Sequence, residues 1–387
     1  MTPAARLAAA IDILDRVLAG VAAEKALTNW ARSNRFAGSG DRHAIRDAVF
    51  DALRCRRSFA HLGGGETGRA LVLGGVRASG ADPAAIFTGE GYAPAPLSSA
   101  EQQPVPPPDP LVALDCPEWL APALQASLGP DFAEVMALLR HRAPVFLRVN
   151  LRKTDPAGAF AALAEDGIEA VAHPLSPTAL EVTRNPRKVQ AARAYLTGLV
   201  ELQDAASQAV IEALPLKSGQ KVLDYCAGGG GKSLALAAKA DLRLFAHDID
   251  PGRMKDLPQR SARAGVSVTR LETSALGSAA PFDLVLADAP CSGSGSWRRA
   301  PEAKWAFSAE RLAELCAIQA QILDKTAKLV APSGVLAYAT CSLLDAENAD
   351  QITAFLRRAP EWRVLSQRRW TPLDGGDGFF CATLTRK

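Results

Sequence analysis

"KVLDYCAGGGGKSLALAAKA", residues 221–240, passes from an apolar run through four consecutive glycines into a stretch rich in alanine and leucine. It reads as a strand, a tight loop and a helix. Glycines permit the turn and let a ligand approach backbone N–H groups at a helix start. The loop is not a P-loop, because G-x-x-x-x-G-K would need its first glycine where Cys226 stands, and it is not G-x-G-x-x-G either. Further along, "HDID" places Asp248 at the end of a second apolar run, where a carboxylate can hold the two hydroxyls of a ribose. Together these features indicate a nucleoside-bearing cofactor, with NAD and S-adenosylmethionine both open.

The rhythm continues outward from this point. "LRLFAHDID" (242–250), "VSVTRLE" (266–272), "FDLVLADAPC" (282–291) and "GVLAYATCS" (334–342) read as strands, separated by helical patterns that include a long one from Ser308 and another from about Asp345 to Arg358. Strands alternating with helices imply an α/β fold with a mostly parallel, doubly wound sheet. In such sheets ligands bind at the carboxyl ends of the strands. Asp288 and Cys291 close one strand, and Thr340 and Cys341 close another.

Upstream, Leu7, Ile11, Leu14 and Leu18, then Ile45, Val49 and Leu53, recur at helical spacing over the first 65 or so residues. Residues 62–110 are rich in glycine and then proline, a composition that suits loops and a linker. Residues 1–110 therefore read as a helical region with a proline-rich tail, and 116–195 as a small α+β module containing "VFLRVNL". Residues 196–387 form the Rossmann-like domain.

Composition narrows the class. Hydrophobic content of 48% with 22% charged residues describes a globular chain with a substantial core. Acidic and basic residues interrupt the apolar start, and no long uncharged apolar run follows, so a cytoplasmic protein without a signal peptide or membrane span is expected. The seven cysteines contain no C-x-x-C pair, which argues against a zinc site, so no metal is expected. Residues 1–60 carry nine arginines and one lysine against six acids, a balance compatible with phosphate contact.

Two thiols at neighbouring strand ends suit nucleophilic attack on a soft electrophilic carbon, such as carbon 6 of cytosine. Addition there makes carbon 5 able to accept a methyl group. A neighbouring acid must support the ring, and a base must then remove the carbon-5 proton. Asp288, Cys291 and Cys341 supply these parts. The residues alone leave open which thiol attacks.

"VLDYCAGGGGKS", "HDID", "DAPCSGSGSWRRAPEAKW", "LAYATCSLLDAEN" and "GDGFF" together resemble the RsmB/Sun (Fmu) family of RNA cytosine-5 methyltransferases, from about residue 116 onward. The resemblance implies S-adenosylmethionine as cofactor and a cytidine in RNA as substrate, in small-subunit (16S) rRNA, with tRNA as the alternative. It implies that Cys341 attacks carbon 6 and that Cys291 assists product release. Cys226, Ala227, Gly228, Gly229, Gly230, Gly231 and Lys232 would wrap the methionine part, with Asp248 at the ribose, Glu272 at the adenine and Asp288 beside the transferring centre. The family has Ala-Pro where Gly228-Gly229 stand, and an aspartate where Glu272 stands. The N-terminal region resembles a NusB-like RNA-binding domain through "RHAIRDAVFDALR". Arg298, Arg299 and Lys304, between Trp297 and Trp305, are expected to contact RNA. The competing reading is a non-catalytic RNA-binding assembly factor of the same fold, weakened in cofactor affinity by its altered glycine loop.

Overall fold

The structure, a computed structural model, describes residues 1–387 and divides into two compact units. Residues 1–142 together with 297–306 form one, and 143–296 with 307–387 form the other.

The first unit is helical. Helices Pro3–Leu18, Ala23–Ser33, Ser39–Arg54, Arg56–Gly63 and Gly68–Ala78 bury Ile13, Leu14, Ile45, Val49, Leu71 and Leu73 in one core. The expectation that residues beyond 62 are loop and linker fails at Gly68–Ala78, which is a packed helix. Its glycines are the reason both for the misreading and for the packing. A Cβ at Gly74 would lie 1.9 Å from the Phe59 carbonyl oxygen, so only glycine lets these two helices cross so closely.

Helices Ala121–Leu128 and Phe132–Leu139, at the start of the stretch read as the small α+β module, pack with the helical unit. Buried Asp115 fixes them there. It accepts from the Ser58 amide (2.9 Å), the Ser58 hydroxyl (2.8 Å) and the Arg140 guanidinium (2.7 Å).

The second unit holds two sheets. The smaller is antiparallel, in the order β2 (Glu169–Ala172), β3 (Ala179–Arg184), β1 (Val145–Val149), β4 (Val200–Leu202), with helix Pro156–Glu165 covering it. The larger contains β5 (Lys221–Asp224), β6 (Arg243–Ala246), β7 (Thr269–Arg270), β8 (Phe282–Asp288), β9 (Val330–Thr340), β10 (Trp362–Trp370) and β11 (Phe379–Arg386), in the order β10-β11-β9-β8-β5-β6-β7. From β9 through β7 every pairing is parallel, whereas β11 runs antiparallel between β9 and β10.

The core follows from the pleat. Val285 and Ala287 of β8 face Leu323 and Phe355 on one side, while Leu284 and Leu286 face Val210 and Leu236 on the other. A continuous apolar strand buried on both faces is what a parallel sheet between two helical layers requires.

The two sheets are joined by polar side chains of β1 and the turn after it. Arg148, buried, donates to Gly231 O at 3.0 Å and to Gln203. Asn150 Nδ2 donates to Gly198 O (2.9 Å) and to Ala264 O (2.8 Å) at the end of helix Leu257–Ala264. Replacing Asn150 with alanine leaves both carbonyls buried without a donor, and we expect a loss of about 1–3 kcal/mol. Urea unfolding of the purified variant checks this, and an unchanged midpoint would mean that the junction does not depend on the amide.

Candidate active site

The suspected residues converge at the carboxyl ends of β5, β6, β8 and β9. After β5 the chain turns through Gly228 (φ +51°) and Gly230 (φ +81°), both in the left-handed region. A Cβ at Gly230 would also approach Leu257 Cδ1 to 2.3 Å. Helix Gly231–Lys239 starts at once, so its unpaired N–H groups open toward the loop.

Asp248, almost fully buried, tightens this cradle from the end of β6. One carboxylate oxygen accepts from Gly228 N at 2.9 Å and the other from Asp250 N at 3.1 Å. The loop is also braced from outside. Arg260 donates to Gly229 O and pairs with buried Glu201 of β4 at 3.2 Å, bracing the loop against the smaller sheet. Glu272 stands exposed beyond β7.

Two residues in this cradle carried no sequence signal. His247, fully buried, joins three strand ends: Nδ1 lies 2.7 Å from Tyr225 O and Nε2 lies 2.9 Å from Thr273 Oγ1. A carbonyl oxygen only accepts, so Nδ1 carries the hydrogen and Nε2 is left to accept from the threonine. The second is Asp224, at the very end of β5. Its Oδ2 accepts from Ser233 Oγ at 2.6 Å, while its buried Oδ1 has no partner within the protein.

At the end of β8, Asp288 Oδ2 accepts from Lys232 Nζ at 2.6 Å, and that ammonium lies 4.9 Å from the centre of the Phe379 ring. Burial works against the charge on Lys232, but the Asp288 carboxylate outweighs it and holds the ammonium above the ordinary lysine range. The loops after β8 and β9 then bring Cys291 Sγ to 3.5 Å from Cys341 Sγ. Both are free thiols, and neither is fully buried.

The thiols are not equivalent. The contact with Cys341, reinforced by burial, raises Cys291 well above the ordinary thiol range. The same contact lowers Cys341; burial and Asp288 oppose this, while Lys232 and Ser296 assist. The arrangement is a hydrogen-bonded pair of thiols whose surroundings favour thiolate character at Cys341 over Cys291. Cys226 behaves differently. Burial, followed by the Asp288, Asp224 and Asp248 charges, pushes it upward, so it lines the loop as a neutral thiol.

The loop between Trp297 and Trp305 departs from expectation. Arg298 and Lys304 are buried. Lys304 Nζ donates to Arg54 O and Asp115 O, each at 3.0 Å, and Trp305 Nε1 donates to Leu53 O at 2.6 Å. Lys304 and Trp305 serve the interior of the helical unit, and burial takes Arg298 and Lys304 out of reach of a phosphate. Arg299 alone of the three is exposed. The spacing of aromatic and basic residues gave the same signal that a stacking surface would give. No cluster of three or more His, Cys, Asp or Glu side chains that could hold a metal is present, and no helix is long and apolar enough to cross a membrane.

The cradle fits S-adenosylmethionine on its own terms. It offers a positive-φ glycine turn, a ribose-side aspartate, and in Asp224 a buried carboxyl oxygen awaiting a donor. The antiparallel β11 slotted beside β9 separates this sheet from the all-parallel dinucleotide-binding order. Fold and site together define a Rossmann-like, S-adenosylmethionine-dependent methyltransferase.

Comparison with known proteins narrows the class. Residues 211–385 match the family described as 16S rRNA methyltransferase RsmB/F, and residues 116–190 match the RsmF/B-like ferredoxin-like domain. Ribosomal RNA small subunit methyltransferase B of Klebsiella pneumoniae (strain 342) is 34% identical over 286 residues, 70% of this chain. The match spans 66% of that relative's length. Among solved structures, PH0851 covers 100% of this chain and 99% of its own at a TM-score of 0.79 and 24% identity. A methyltransferase homolog protein from Pyrococcus horikoshii covers 72% of this chain and 98% of its own, with a TM-score of 0.63 and 25% identity. The chain belongs to the RsmB/F methyltransferase family.

Burial pushes the Asp224 carboxyl up to about 7, against the opposing pull of Ser233. An acid whose folded-state value is raised stabilises the fold at low pH and loses that contribution as pH rises through the folded value. Asp224→Asn should therefore gain stability relative to the native protein between about pH 5 and about pH 8, because the native protein must ionise a buried group over that window. Urea midpoints at both pH values test this, and parallel pH slopes for the two proteins would refute it.

Proposed function

We propose that this protein is an RNA cytosine-5 methyltransferase acting on small-subunit ribosomal RNA, with Cys341 as the nucleophile and Cys291 as the group that assists release. One observation carries the reading: two thiols 3.5 Å apart at the ends of adjacent parallel strands, one shifted toward thiolate and the other away from it. A methyltransferase acting on oxygen or nitrogen has no use for such a pair, whereas carbon 5 of cytosine becomes nucleophilic only after a thiolate adds at carbon 6. The RNA assignment draws on the description of the matched family and on the name of the Klebsiella relative.

The residues from Cys226 to Lys232, with Asp248 and Glu272, would hold S-adenosylmethionine, which when bound supplies an electrophilic methyl group. The remaining steps belong to the chain. The target base is turned out of its stack to reach a site at the bottom of strand-end loops. Cys341, its thiolate favoured by the Cys291 hydrogen bond and by Lys232, adds to carbon 6 and leaves carbon 5 electron-rich. Asp288, held by Lys232, presents its remaining carboxylate oxygen to the exocyclic amine of the ring. After methylation the carbon-5 proton must leave so that the carbon 6–sulfur bond can break. Cys291, beside the attacking sulfur, belongs to that elimination.

The two cysteines should fail in different ways. Cys341→Ala is expected to abolish methyl transfer to small-subunit rRNA, read by bisulfite sequencing of the modified RNA. Cys291→Ala should still attack and methylate, then stall, accumulating a protein–RNA adduct that survives denaturing electrophoresis. An active Cys341→Ala protein, or an adduct that persists without Cys341, would overturn the assignment.

A further inference from the structure

Around the two thiols lies a set of buried polar side chains that neither the cofactor cradle nor the attack on cytosine uses. Glu347, with no exposed surface, stands in the turn after β9. Its Oε1 accepts from the Ser292 amide (2.8 Å) and from Gln319 Nε2 (3.0 Å). Its Oε2 accepts from the hydroxyls of Ser292 and Ser342, each at 2.5 Å. Ser292 follows Cys291 and Ser342 follows Cys341, so one carboxylate grips both cysteine loops one residue beyond the sulfur. Gln319 completes the hold by donating to Pro290 O at 2.9 Å, on the other side of Cys291. On the Cys341 side, Asn348 Nδ2 donates to Ser342 O at 2.9 Å and Thr340 Oγ1 donates to Asn348 Oδ1 at 2.5 Å.

We propose that Glu347 is the positioning residue of the two-thiol site, fixing the approach of the two sulfurs and making Cys291 the donor and Cys341 the acceptor across their contact. The proposal rests on the two-thiol reading of the site and adds what assigns the two roles. Sequence symmetry cannot assign them, because both cysteines stand at equivalent strand ends. Charge placement can. The buried carboxylate holds the Cys291 loop through both the amide and the hydroxyl of Ser292 but the Cys341 loop only through the Ser342 hydroxyl, so its negative charge weighs more against a thiolate on Cys291. The Lys232 ammonium favours a thiolate on Cys341, while Asp288 opposes it and Ser296 hydrogen-bonds it. Tyr338 lies near Cys291 as well, with its hydroxyl committed to Glu347 O at 2.7 Å. Glu347 is among the charges that raise Cys291, after its contact with Cys341 and burial.

The test needs neither RNA nor cofactor, so it separates this proposal from the functional one. Iodoacetamide labelling of each cysteine, followed by peptide mass spectrometry across about pH 6–10, reads thiolate character site by site. In the native protein Cys341 should label about tenfold faster than Cys291 near neutral pH, with Cys291 rising only in alkaline solution. Glu347→Gln is close in shape but uncharged. It should cut that ratio at least about fivefold and move the Cys291 profile to lower pH, while Glu347→Asp, which keeps the charge, restores part of the ratio. An unchanged ratio in folded Glu347→Gln overturns the proposal. So does equal acceleration of both cysteines with a lowered melting temperature, the signature of a purely structural residue. Should Glu347→Gln fail to fold, the native profile and Ser292→Ala decide. The proposal fails if Cys291 labels as fast as Cys341 in the native protein, or if loss of the Ser292 hydroxyl leaves the ratio untouched. A native protein with the expected thiol order that forms no RNA adduct would count against the proposed function alone.

Discussion

The parallel pairing of β8 with β9, which sets Asp288 opposite Ala339, is the constraint on which the site depends. It carries two cysteines fifty residues apart in sequence to the same edge of the sheet and leaves their sulfurs in contact. A shift of one residue in either strand would turn side chains to the opposite face. The register is held in turn by apolar side chains on both faces, so the chemistry at the strand ends rests on the packing of Leu284, Val285, Leu286 and Ala337 several residues below.

A second dependence runs sideways. The glycine loop is not a free turn: Gly228 is held by Asp248, Gly229 by Arg260, and Gly231 by Arg148 of the smaller sheet. The loop holds no proline, and its restraint comes from arginines outside it. Glu201, paired with Arg260 and Arg263, makes the smaller sheet part of that restraint. The α+β module is thus connected to cofactor geometry whether or not it also meets RNA.

Much of this was legible in the residues. The alternation of strand and helix from Lys221 to Arg358, the glycine turn, and the placement of Asp248, Asp288, Cys291 and Cys341 at strand ends follow from local pattern. What stayed hidden depends on contacts between distant segments. Helix Gly68–Ala78 was concealed because glycines chosen for close packing look like glycines chosen for flexibility. Strands β10 and β11 follow one another through a short turn with no α-helix between them, so the βαβ rhythm ends at that hairpin. Lys304 looks like a surface cation until the carbonyls of Arg54 and Asp115 are brought beside it from the other end of the chain, and the Arg54 guanidinium donates to the Arg298 carbonyl in the same interior. Glu347 and Gln319 carry no signature because a carboxylate that organises a site is chemically the same as one that faces water.

The path of the chain through residues 297–306 has a consequence for how the protein can be divided. This segment leaves the catalytic unit directly after the Cys291 loop, lies within the helical unit, and returns at Phe307. The two units are therefore not beads on a string separable at one linker. Cutting away the N-terminal helices would leave the Trp305 ring nitrogen without the Leu53 carbonyl and the Lys304 ammonium without the carbonyls of Arg54 and Asp115, in a segment that follows the Cys291 loop directly. A transplanted or shortened catalytic unit would carry that wound with it.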